Sequence, residues 1–137
     1  MSDTIFHKIL RAEIPSAKIY ENEFICSFMD AFPQSQGHAL IIAKEGGKNL
    51  LEMNDRALSE IILFSKKLAT AQWNVFQPDG IKVMQFNGAA AGQTVFYYHM
   101  HLIPVWNNQK QQPHHEKAVE MTILQAQANK LAAALNH

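Results

Sequence analysis

Apolar and polar side chains alternate along residues 97–103, with Tyr97, His99, His101 and Ile103 at one set of positions and Tyr98, Met100 and Leu102 at the other. A period of two predicts a strand over 97–105 with the first set on one face. The runs at 24–29 and 39–42 are short, apolar and bounded by turn-forming residues, which predicts buried strands, the second short enough to be central in a sheet. Residues 18–20 predict another strand, joined to 24–29 through the turn Glu21-Asn22-Glu23, and 81–86 a further one after Pro78-Asp79-Gly80. From 55 to about 76, Leu58, Ile61, Ile62, Leu68, Ala69, Trp73 and Phe76 recur near the helical period, with Lys66 and Lys67 on the other face. Residues 3–10 predict a short helix, broken by Ile14-Pro15-Ser16. A last stripe, Met121, Leu124, Ala128, Leu131 and Leu135, predicts an amphipathic helix that must cover its own domain or a second subunit. Hairpin-linked strands around one long helix predict an α+β fold with an antiparallel sheet rather than a βαβ series.

Composition narrows this picture. A chain of 137 residues, 47% hydrophobic, is one ordinary domain with a real core. It reads as a unit over 1–106, followed over 107–137 by a polar loop, expected to be mobile as far as 115, and the amphipathic helix. Twelve basic and twelve acidic side chains cancel, so neither nucleic acid nor a membrane surface is an expected partner. Residues 1–30 lack a basic segment followed by a long apolar run, and no stretch approaches the roughly 20 apolar residues of a membrane span. A cytoplasmic protein is the expectation. Cys26, the single cysteine, lies in a buried run and reads as core packing.

The strand that carries His99 and His101 is the candidate for chemistry. Two residues apart on one face, their Cα atoms lie roughly 6.6 Å apart. Asn87, Gln93 and Thr94 arrive from the loop upstream, where Gly88 and Gly92 allow close backbone approach. A neutral imidazole titrates near pH 6.5 and offers a lone pair at pH 7, so His99 is the candidate nucleophile toward phosphorus. From Gly80 through His115 there is no Asp or Glu, so a backbone carbonyl is the expected partner of its other ring nitrogen. No local negative charge would then repel a phosphate, while His101, Gln93, Thr94 and loop amides donate to its oxygens. Two other readings stay open. His-x-His is a common pair of metal ligands, for which His38 or Asp30 could add a third, and the two rings could be satisfied core residues.

These residues closely resemble the histidine triad (HIT) family of nucleotide hydrolases and transferases, in its bacterial Hint-like branch. The signature is His-φ-His-φ-His-φ-φ, with φ apolar, after a Gly-Gln-Ser/Thr-Val stretch. Here Gly92-Gln93-Thr94-Val95 precedes Tyr97-Tyr98-His99-Met100-His101. The blocks Ile5 to Ile9, Ala12-Glu13-Ile14-Pro15, Phe28 to Gln34 with Gly37-His38, and Asn87 to Gln93 match in order and approximate spacing. The resemblance implies a five-stranded antiparallel sheet with a long helix, a homodimer, and a purine nucleoside monophosphate bound in a cleft on the sheet. It implies that His99 takes the nucleotidyl group, that His101 contacts the phosphate, and that Gln93 and Thr94, with Asn87 upstream, serve the phosphate and leaving group. Asp30 would hold the ribose hydroxyls, and Phe6, Ile9 and Phe28 would form the base pocket. Taken without the family, Phe6, Ile9 and Phe28 read as core, Asp30 as a turn cap, His38 as bonded to backbone, and His7, His114, His115 and His137 as solvated.

Departures from the pattern shape the expectation. The first triad position is Tyr97, expected to support the nucleophile from behind. Many bacterial relatives hold a structural zinc at four places that here read Thr4, His7, Gly46 and Tyr97. No such zinc, no other metal and no cofactor is expected. Phe86 stands where relatives often carry a polar Asn. The resemblance thus implies a hydrolase of nucleoside 5′-phosphoramidates or related nucleoside monophosphate conjugates, working through a covalent His99-nucleotidyl intermediate, with Tyr97 expected to leave activity in place at or below the level of a full triad. The alternatives are a nucleotide-binding or partner-binding module with weak or no catalysis, and a dinucleoside polyphosphate hydrolase.

Overall fold

A computed structural model describes residues 3–110 and 117–135. The chain runs α1 (Ile5–Leu10), β1 (Lys18–Glu21), β2 (Ile25–Met29), β3 (Ala39–Ala43), α2 (Asp55–Phe76), β4 (Gly80–Met84), β5 (His99–Val105) and α3 (Met121–Leu135). The five strands form one antiparallel sheet in the order β1-β2-β3-β5-β4, with β3 at its centre. The architecture is α+β, as the strand and helix patterns require.

Local chemistry fixes the elements. Thr4 and His7 form a reciprocal capping box that starts α1 two residues later than periodicity suggested, because the Thr4 side chain occupies the N-cap. The Asn22 carboxamide oxygen accepts from the backbone N–H of Phe24 and Ile25, turning the chain from β1 into β2. Asn54 caps α2 through Ala57 N–H, and Gln77 ends it in the left-handed conformation. β5 starts at His99 rather than 97, since Tyr98 N–H donates to Gly47 O at 2.8 Å instead of joining the ladder. β4 ends at Met84, which pairs with His101, and not at residue 86.

Alternation divides the core between the two faces of the sheet. Ile25, Ile41, Met100 and Leu102 pack with Ile61 and Leu68 of α2 and with Leu124, Ala128 and Leu131 of α3. The last helix therefore lies on its own chain. On the opposite face Cys26, Phe28, Leu40, Ile42 and Tyr97 pack with Phe6 of α1, a smaller cluster under a six-residue helix. The histidines occupy this second face, where there is room left for a ligand. Gln72 ties α2 to the rear of the sheet by donating to Gly37 O and Leu102 O at 2.9 and 3.0 Å. Gly37, at φ +85, passes so near the Phe76 ring that a Cβ would lie 2.6 Å from it, so no larger residue fits beside His38.

No helix among the described residues is long and apolar enough to cross a membrane. Part of the polar loop at 107–115, together with His114, His115 and His137, lies outside the described residues. Cys26 is 1% exposed, and burial pushes its thiol up to about 11. At pH 8 about one molecule in a thousand would carry the thiolate that alkylating reagents require. Iodoacetamide at pH 8 is expected to leave the native protein unlabelled for hours and to label it stoichiometrically in urea. Rapid native labelling read by intact-mass spectrometry would contradict this placement.

Candidate active site

β5 lies between β3 and β4, with His99 opposite Ile42 and His101 opposite Leu40. His99 is 8% exposed, and its Nδ1 lies 2.7 Å from the carbonyl oxygen of Tyr97. A carbonyl can only accept, so Nδ1 carries the proton and neutral His99 has its lone pair on Nε2. This is the backbone partner anticipated from the absence of nearby carboxylates. Phe6 presents an edge to the His99 ring at 4.8 Å and His101 does so at 4.9 Å, fixing the ring plane from both sides.

His101 is set by a different chain of bonds. Gln34 N–H donates to His38 Nδ1 at 3.0 Å, so the proton of neutral His38 sits on Nε2. That nitrogen lies 2.9 Å from His101 Nδ1 and 3.4 Å from Asp30 Oδ2. Receiving a proton at Nδ1, His101 keeps its own on Nε2. The two triad histidines thus hold opposite tautomers, one with its lone pair on Nε2 and one with a donor there. Continuing the β2–β3 ladder one step past Met29 and Ala39 brings Asp30 beside His38, where Asp30 N–H donates to His38 O at 3.0 Å. Asp30 also keeps the turn-capping role its position suggested, with Oδ1 accepting from Phe32 N–H at 2.8 Å.

His38 is the residue the sequence reading undervalued. It is fully buried and bonds backbone as expected, but it also touches both Asp30 and His101. The three side chains place one ligand atom each within 4.8 Å, so the donor set could hold a metal. The hydrogen-bonded distances among them account for the cluster without one.

One cavity, partly open to solvent, collects Phe6, Ile9, Phe28, Asp30, Thr94, His99 and His101 from the expected set. Its apolar walls with a few convergent polar groups are the usual make-up of a small-molecule site. Asn87 and Gln93 are not in its lining. The Gln93 carboxamide is engaged at both atoms, with its oxygen accepting from Gly88 N–H and its nitrogen donating to Lys48 O and Val95 O. Asn87 accepts from Leu50 N–H at 2.8 Å. Both fasten the loops that carry Thr94 rather than reaching into the cavity. Sequence reasoning missed Ile14, Pro15 and Met121, which complete the walls.

The four places where relatives hold zinc do converge here. His7 packs edge-on against Tyr97 at 4.7 Å and its Nδ1 accepts from Thr4 N–H at 2.9 Å. His7 is therefore a helix cap, not a solvated side chain. Burial pushes the Tyr97 phenol above its ordinary range, so the hydroxyl keeps its proton and donates to Ala43 O at 2.6 Å. A Cβ on Gly46 would lie 3.1 Å from that ring. With a glycine, an engaged phenol and a capping threonine, the set does not fit a zinc ion. Phe86 packs 6.0 Å from His101, on an aromatic row that ends with Phe6 beyond His99.

The HIT domain profile matches residues 11–108. "Protein hit" of Bacillus subtilis is 41% identical over 100 residues, 73% of this chain and 69% of that protein. Adenosine 5′-monophosphoramidase HNT1 of Saccharomyces cerevisiae is also 41% identical over 100 residues, 73% of this chain and 61% of the yeast protein. The crystal structure of a Hit-like protein involved in cell-cycle regulation from Bartonella henselae, solved with an unknown ligand, is 42% identical, with a TM-score of 0.91 over 96% of each chain. The chain belongs to the HIT domain family.

Tyr97→Phe is expected to lower stability by about 1–2 kcal/mol, because it leaves the Ala43 carbonyl unpaired in a buried setting. Urea unfolding measures this, and an unchanged midpoint would mean that the hydroxyl bond contributes nothing.

Proposed function

We propose that this protein is a HIT-type nucleotide hydrolase acting on purine nucleoside 5′-phosphoramidates or related nucleoside monophosphate conjugates. The observation that carries the reading is the 2.7 Å contact between His99 Nδ1 and the Tyr97 carbonyl, in a ring that lines a cavity with both apolar and polar walls. His99 Nε2 attacks the α-phosphorus and the bond from phosphorus to the leaving amine breaks. The imidazole becomes a cation as it takes the nucleotidyl group, and the Tyr97 carbonyl stabilises the N–H that faces it. His101 and Thr94 are the donors at hand for the phosphate oxygens and the departing nitrogen. Water then attacks the nucleotidyl-histidine, releasing the nucleoside monophosphate and restoring neutral His99. No step needs a metal or a cofactor.

In this reading Asp30 holds the ribose hydroxyls, and Phe6, Ile9 and Phe28 hold the base. Gln93 and Asn87 act through the loops they fasten. Among the described residues the cavity lining contains no Lys or Arg, which disfavours a dinucleoside polyphosphate, whose successive charges call for such partners. A nucleotide-binding module with little turnover is the second reading, favoured by the apolar Phe86 beside His101. We also propose a homodimer, since β4 is an edge strand with Val83 52% exposed and α2 leaves Ile62 and Trp73 uncovered.

His99→Ala is expected to reduce turnover of a fluorogenic adenosine phosphoramidate by about a thousandfold or more while leaving AMP binding within a few-fold of wild type. Undiminished turnover in that variant would overturn the assignment, and tight AMP binding by a wild type without turnover would favour the binding module.

A further inference from the structure

The apolar stripe of α3 does more than cover the sheet. Leu124, Ala128 and Leu131 are 2%, 0% and 0% exposed in the core, whereas Met121, one turn earlier on the same face, is 39% exposed. The stripe therefore overshoots the core by one residue. That residue forms part of the wall of the active-site cavity, with Leu124 beside it. Its position is held from both sides: Val119 N–H donates to Ala31 O at 3.1 Å, docking the lead-in to α3 against the turn that carries Asp30, and Leu124 anchors the first turn in the core. All of α3 lies beyond residues 11–108, the span that matches the family domain.

We infer that Met121 is a binding determinant supplied by the C-terminal helix, a wall for the purine base of the bound nucleotide; this rests on the nucleotide reading of the cavity. The cavity lining combines two chemistries. His99, His101 and Thr94 provide polar groups for a phosphate, while Phe6, Ile9 and Phe28 provide apolar surface. Met121 adds to the apolar part. An unbranched thioether is suited to this place, since it follows the shape of an aromatic ring and makes favourable contacts between sulfur and the ring system. Leaving such a side chain 39% exposed has a reason if a ligand covers it.

The test measures AMP affinity by calorimetry and ribose 5-phosphate affinity by its competition against AMP, in wild type and in Met121→Ala, Met121→Leu and Ile123→Ala. Ile123 is 50% exposed on the same helix and is absent from the cavity lining, so it serves as the control. Met121→Ala is expected to weaken AMP about fivefold to tenfold. It should leave ribose 5-phosphate, which has no base, unchanged. Met121→Leu should restore AMP affinity and Ile123→Ala should not alter it, all with thermal unfolding midpoints near that of wild type. Equal AMP affinity in wild type and Met121→Ala overturns the inference while leaving the nucleotide reading intact. So does a matching loss for ribose 5-phosphate, which would place the effect on the whole site. Failure of wild type to bind AMP overturns both.

Discussion

A single hydrogen bond, from His99 Nδ1 to the carbonyl of Tyr97, fixes which nitrogen of the candidate nucleophile carries the lone pair. Its existence depends on where the β5 ladder begins. Because Tyr98 N–H goes to Gly47 O, residue 97 stands outside the strand and its carbonyl can serve the histidine ring two residues on. The Tyr97 side chain secures that arrangement through Ala43 O, against His7 and in the space that Gly46 leaves. Thus the residue that replaces the first histidine of the triad acts on the second through its backbone, while its own ring anchors the peptide.

The remaining electrostatics follow from neutrality. An acceptor without formal charge orients His99, and the one carboxylate in the cavity lining, Asp30, is placed by the β2 terminus beside His38. In the proposed reading a phosphate next to His99 would meet donors, with the carboxylate set at the adjoining strand end. In the proposed reaction the opposite tautomers of His99 and His101 would divide the labour of donating an electron pair and donating hydrogen bonds between two otherwise identical rings.

Much of this was legible in the chain because the relevant signals are local. The two-residue alternation at 97–103 put His99 and His101 on one face, and the lack of acidic residues from 80 to 115 pointed to a carbonyl partner. What stayed hidden depends on which strands are neighbours. His38 shares the face of Leu40 and Ile42, but its meeting with His101 follows only once β3 is known to pair with β5. Gln93 sits in a motif that suggested phosphate contact, yet its two N–H groups go to Lys48 O and Val95 O and its oxygen accepts from Gly88 N–H, partners brought together from separate stretches of chain. The stripe of α3 was visible, but its partner was not. Helical spacing identifies an apolar face without saying what covers it, and only the packing of Leu124 and Leu131 against the sheet shows that the helix stays on its own chain.

The most direct measurement is the protonation pattern of the histidine rings by long-range proton–nitrogen correlation NMR at neutral pH, on protein labelled with nitrogen-15. The account predicts His99 as the Nδ1–H tautomer and His101 as the Nε2–H tautomer. A His99 ring protonated on Nε2 would have its lone pair on Nδ1, turned toward the Tyr97 carbonyl instead of the cavity, and would contradict it.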